Sequence, residues 1–179
     1  MSYRADFLIG LATSLTATVF AFGFAFVLFS KIPRLAGWRF EEVLFLYGFS
    51  LIPFGLFNVV SLNIYDFGSS YIIEGKFDRV LLRPVSTLFQ VLFEAFRIES
   101  LHEVAVGLLA IAIATRRMGL EWSVADLALL FVYGICGAVI YMSVFLILTS
   151  VSFWMEDRIG IGPPVWNLIA FGRYPLNIY

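Results

Sequence analysis

Three stretches of this chain, 7–30, 43–65 and 127–155, each run for more than twenty residues without one Asp, Glu, Lys or Arg. A helix rises about 1.5 Å per residue, so about 20 apolar residues span the roughly 30 Å hydrocarbon core of a bilayer. A helix that is apolar on every side must be covered all round by protein or by lipid. The residue balance says which: 61% of the chain is hydrophobic and 14% is charged, against about 25% charged in a typical soluble domain. Mean hydropathy is +0.92. That leaves too little charge to cover a water-facing surface, so the fold class expected is an all-α integral membrane protein.

The first run is far longer than the roughly 7–15-residue core of a secretory signal, and it reads as a retained span stopped by Lys31, Pro33 and Arg34. The second lies between Glu41/Glu42 and Asp66, with Pro53 at its middle, where a missing backbone donor is expected to kink the helix. The last exceeds one crossing, which predicts tilt or projection from the membrane. A further crossing is harder to delimit. Residues 104–115 are apolar but too few alone, and Glu94, Arg97, Glu99, His102 and Glu103 precede them. At about 100° per residue, Gln90, Glu94 and Arg97 share one face while Glu99, His102 and Glu103 lie opposite. No single stripe results. The pattern is read as an interfacial helix over 86–97 bending into a crossing that ends at Arg116 and Arg117, with Glu94 and Arg97 forming a local ion pair. Crossings are therefore expected near 7–30, 43–65, 98–117 and 124–153. Beyond them, 159–172 is apolar but only half a crossing, broken by Pro163 and Pro164. Residues 156–179 are read as the incomplete C-terminal region of a longer protein, the alternative being a short re-entrant end.

Other residue types limit the chemistry. Net charge is −1 and the cations are scattered, which argues against a nucleic-acid partner. With one cysteine, Cys136, an internal disulfide and a cysteine-rich metal site are excluded. His102 with Glu99 and Glu103 has the spacing of a metal or proton site, but there is no second histidine; a structural role is preferred and no metal or cofactor is expected. Cys136, between Gly134 and Gly137 and beside Ala138, is read as part of a close helix contact. Asn58, Ser61 and Asn63 either line a polar path or hydrogen-bond across helices. Trp38, Trp122, Trp154 and Tyr65 fall near span ends, where an interfacial aromatic belt would put them. No nucleophile with a base and no multi-ligand metal site stands out, so an enzyme is not expected. With the N-terminus inside, seven cations fall on cytoplasmic segments and five on outer loops, a weak bias toward that orientation.

The most informative segment is 73–84, running from Ile73 through Gly75, Lys76, Phe77, Asp78, Arg79, Leu82 and Arg83 to Pro84. It is a short amphipathic element between two spans. Phe77, Leu81 and Leu82 are placed on one side; Lys76, Asp78, Arg79 and Arg83 supply charge. Gly75 breaks the preceding helix, and Pro84 is expected to restart the next, since proline is tolerated in a first turn. Such an element docks into a partner's groove or is an ordinary solvated connector. The residues alone leave both readings open.

Five local patterns resemble one family. They are Tyr3, Arg4, Asp6 and Phe7 opening the first span; Gly37-Trp38 in the first outer loop; Gly75, Lys76 and Asp78 with Leu82, Arg83 and Pro84; Ser152, Phe153 and Trp154 closing the fourth span; and Tyr174, Pro175, Leu176, Ile178 and Tyr179 near the end. The chain resembles the permease subunits of type-2 ATP-binding-cassette exporters, in the branch of small bacterial permeases. The resemblance implies a single transmembrane permease domain over 1–179, part of a six-span fold, in the cell inner membrane with a cytoplasmic N-terminus. It also implies a separate cytoplasmic ATPase docking on the 66–86 loop through Gly75, Lys76, Asp78, Arg79, Leu82, Arg83 and Pro84, and a second permease copy or related subunit. Nucleotide chemistry would then belong to the partner, in keeping with the lack of a Gly-x-x-x-x-Gly-Lys-[Ser/Thr] phosphate loop. A non-transporting membrane scaffold or accessory subunit is the alternative. Nothing in the residues names a substrate.

Overall fold

The computed structural model describes residues 2–32 and 34–154. Among these there are helices and no strands, only an isolated bridge between Leu35 and Trp38 in the first connection. The order is α1 (Ser2–Lys31), α2 (Phe40–Ser61), a 3-10 turn (Leu62–Asp66), a π-helical segment (Phe67–Ile73), α3 (Lys76–Leu81), α4 (Thr87–Phe93), a 3-10 turn (Ile98–Ser100), α5 (Leu101–Met118), α6 (Val124–Ser150) and a last 3-10 turn (Val151–Phe153). Four stretches are long and apolar enough to cross a membrane: Phe7–Lys31, Phe40–Ser61, Ile98–Met118 and Val124–Phe153. The chain is thus an all-α, multi-pass membrane protein. The region 156–179 lies outside the described residues.

The centre is α2, which continues through Pro53 and packs α5 on one side and α6 on another. Small residues set both contacts, as they do where no water is available to drive helices together. A β-carbon built on Gly48 would stand 2.8 Å from the Gly107 carbonyl oxygen, and one on Gly107 would stand 2.7 Å from that of Gly48. Gly55 likewise faces Glu103 and Val104 of α5. On the α6 side, Gly137 receives the Pro53 ring and Gly134 receives Ile52. The expected small-residue contact therefore runs through these two glycines, while Cys136 between them is exposed. Below it, Phe57, Ile64, Leu92 and Phe145 form a buried cluster joining α2, the turn after it, α4 and α6.

Helix α1 stands apart. It leans on α2 through Phe22 against Tyr47, with ring centroids 4.8 Å apart, and through Phe26 and Phe29 against Phe40. Most of its large side chains, Phe20 and Phe24 among them, are uncovered. Between α5 and α6 the turn is tight: Gly119, at φ +68°, closes α5, and a Ser123–Asp126 capping box opens α6.

Several sequence expectations are revised. The α-helix of the second span ends at Ser61 rather than Tyr65, and the chain continues as 3-10 and then π-helical turns into what was expected to be open loop. The helix expected over 86–97 is confined to Thr87–Phe93. Arg97 is extended (φ −109°, ψ 91°), and its N–H donates to the Val59 carbonyl at 3.0 Å. That long-range bond takes Arg97 out of helical register, so the Glu94–Arg97 pair does not form; Glu94 instead accepts the Tyr71 hydroxyl. Tyr65 is no interfacial anchor. Its ring packs between Phe57 and Phe145, at centroid separations of 5.7 and 4.5 Å, and its hydroxyl donates to Asn58 Oδ1 at 3.3 Å.

Candidate functional site

The segment 66–86 lies at the end of the bundle where α2 stops and α6 finishes. The π-helical segment carries the chain away from α2 until Gly75, at φ +71°, reverses it; this left-handed conformation costs a glycine little. The following helix, α3, is only six residues long, too short to be stable without packing. Its packing comes from Phe77 and Val80, three residues apart and so on one face. Val80 is buried with Phe67, Tyr71 and Val91. Phe77 meets Phe67 at 6.0 Å and Phe153 at 5.1 Å, both edge-to-face, and Phe153 also meets Phe67 at 5.6 Å. Three rings from the segment after α2, from α3 and from the end of α6 thus converge on one point.

The sequence placed Phe77, Leu81 and Leu82 together on the apolar side. In the structure only Phe77 turns inward; Leu81 is 58% and Leu82 84% exposed. The helix ends at Leu81, so Leu82 no longer follows helical periodicity, and Val80 takes the inward place. Pro84 does not begin the next helix. It sits in a bend in which the Val85 N–H donates to the Arg83 carbonyl at 2.8 Å, a three-residue turn that proline's fixed φ suits, and α4 starts at Thr87. Gln90, which no motif singled out, ties the segment down: its Nε2 donates to the carbonyls of Val80 (3.3 Å) and Val85 (2.8 Å).

Asp78, Arg79, Leu82, Arg83 and Pro84 are exposed together. Lys76 forms a surface pair with Glu74 at 3.1 Å, with about half of each side chain in the open. Nothing within the described chain neutralises Asp78, Arg79 or Arg83 by an ion pair; the described residues hold two such pairs, Arg39–Glu42 and Lys76–Glu74. Beside the segment an open polar pocket is lined by Asn63, Asp66, Tyr71, Lys76, Glu94 and Arg97. Next to it, an open apolar pocket of about 390 Å³ is lined by Phe67, Phe77, Leu88, Val91, Leu146 and Phe153.

Asn58, Ser61 and Asn63 link elements that are distant in sequence. Asn58 Nδ2 donates to Glu103 Oε2 at 2.9 Å, Ser61 Oγ to the Leu92 carbonyl at 3.3 Å, and Asn63 Nδ2 to the Tyr71 hydroxyl at 3.2 Å and to the Val91 carbonyl. The cross-helix alternative therefore describes them. His102 Nδ1 lies 2.5 Å from the Glu99 carbonyl, which can only accept, so that nitrogen carries a proton; in the neutral ring Nε2 then accepts from Ser14 of α1 at 2.6 Å. Among the described residues no group of three or more His, Cys, Asp or Glu is arranged to hold a metal ion.

Apolar helices long enough to cross a bilayer, tied together by a few polar bonds and carrying a charged helical segment at one end, describe a multi-pass membrane protein. Comparison with known families agrees: residues 15–179 match the family model described as ABC-2 family transporter protein, and the chain belongs to that family. It is a permease subunit of an ATP-binding-cassette transporter, a membership that implies an ATP-binding-cassette ATPase as partner. No curated protein and no solved structure matched the chain.

Proposed function

We propose that the chain is the permease of an exporter in the cell inner membrane, N-terminus in the cytoplasm, working as a pair with a second copy or a related subunit. In this reading residues 1–179 form one permease domain, and the ATPase docks on 66–86 through Gly75, Lys76, Asp78, Arg79, Leu82, Arg83 and Pro84. The observation that carries it is the two-sided character of α3. Phe77 and Val80 hold it to the bundle, Asp78 and Arg79 on the helix and Arg83 just beyond it stand exposed, and Gln90 ties down the C-terminal end of the helix and the turn that follows. A solvated connector has no need of such fixation. A docking element does, because complementary charge sets register and partner choice only when it is held in place.

The test uses the permease purified with its ATPase. Lys76→Ala is expected to weaken association by less than about five-fold, since an exposed pair contributes up to about 1 kcal/mol. Reversing Asp78, Arg79 and Arg83 together sets like charges against the partner's groove, so ATPase retention should collapse while membrane level stays near wild type. Undiminished retention after the triple reversal would make 66–86 a connector.

A further inference from the structure

We infer that Phe77, Phe67 and Phe153 form the joint through which movement of the docking segment reaches the fourth span; the inference rests on the docking reading above. The sides of α3 are divided between two tasks. Its exposed side carries Asp78 and Arg79, and its inner side carries Phe77, whose ring touches two different elements. Phe67 belongs to the π-helical segment continuous with α2, and Phe153 to the 3-10 turn that ends α6. A push on α3 is therefore delivered to the ends of two spans at once. The contacts are edge-to-face at 5.1–6.0 Å, an arrangement that aromatic pairs prefer and that keeps the three rings in register with one another.

Two further observations point the same way. Backbone on the permease side of the joint departs from α-helix over the seven π-helical residues Phe67–Ile73, and π-helical turns occur mostly at functional sites. Beside the rings lies an open apolar pocket of about 390 Å³, lined by Phe67, Phe77 and Phe153 themselves together with Leu88, Val91 and Leu146. No side chain of the described residues fills it, so the rings have room to shift into it. Phe77, Phe67 and Phe153 are thus positioning residues that act through the spans and make no contact with nucleotide.

The test needs no transported substrate. In the permease–ATPase complex, nitroxides on the native Cys136 of α6 and on Leu109→Cys of α5 report the separation of these helices before and after trapping the ATPase with ATP and vanadate. The wild-type complex should show a new distance on trapping. Coupling between sites is typically about 5- to 150-fold, so among complexes that have kept their ATPase, Phe77→Ala and Phe153→Ala should each lower the shifted population at least about five-fold. Phe153→Tyr, which keeps the ring, should restore it. Leu88→Trp, which puts a larger side chain into the pocket and leaves all three rings in place, should block the shift as well, and it decides the matter if the alanine variants fail to reach the membrane. No shift in the wild type, or a full shift in Phe77→Ala or in Leu88→Trp, overturns the joint. If ATPase retention also survives the triple charge reversal, the docking reading falls; if retention is lost on reversal and only the ring variants behave as wild type, the joint alone falls.

Discussion

Gly48 of α2 and Gly107 of α5 face each other so closely that a β-carbon on either would come within 2.7–2.8 Å of the other's carbonyl oxygen. The contact is reciprocal and involves backbone, which cannot swing aside as a side chain can. It fixes how near the two helices lie, and with that the geometry of the Asn58–Glu103 hydrogen bond three turns further along α2.

Gly48→Ala should accordingly destabilise the protein in detergent by about 1–3 kcal/mol, the usual cost of overpacking. Gly23→Ala is the control. Nothing lies within 4 Å of its added carbon, and Gly23 is in the interior of α1, where alanine is favoured over glycine by up to about 1 kcal/mol. Thermal unfolding of the two purified variants should separate them clearly. Equal melting would mean that α2 and α5 are not in backbone contact.

Removing the carboxylate at the other end of this interface has a different signature. Glu103→Leu strips Asn58, itself 2% exposed, of the acceptor for its amide, and a buried donor losing its partner costs about 1–3 kcal/mol. Glu103→Gln keeps an acceptor oxygen at the same reach and should cost under about 1 kcal/mol. The same unfolding measurement orders the three proteins as wild type, Gln, Leu. A leucine variant as stable as wild type would mean that the bond contributes nothing.

Topology is checked by cysteine labelling in a Cys136→Ser background. Gly37 lies in the connection between α1 and α2, and Gly75 between α2 and α5, so one crossing separates them. With the N-terminus in the cytoplasm, an impermeant maleimide applied to intact cells should modify Gly37→Cys at once and Gly75→Cys only after lysis. Labelling of both from outside contradicts the orientation proposed.

The sequence by itself determined the environment and the class. Uncharged runs of bilayer length and a 14% share of charged residues leave helices in lipid as the outcome, since backbone groups in hydrocarbon must be satisfied within each helix. Gly75 also announced its turn, because its left-handed φ is a property a single residue can carry. Tertiary structure decided what depends on contacts between distant residues. Nothing near Arg97 predicts that its N–H goes to Val59 and ends a helix early, or that the Tyr71 hydroxyl takes Glu94 from its expected partner. The meeting of Phe77 with Phe153 is of the same kind. In a chain with 20 phenylalanines, periodicity cannot say which ring faces lipid and which faces another ring. That choice belongs to the packing of α2, α5 and α6, where close glycine contacts set the helix positions and the helix ends then bring Phe67, Phe77 and Phe153 to one point.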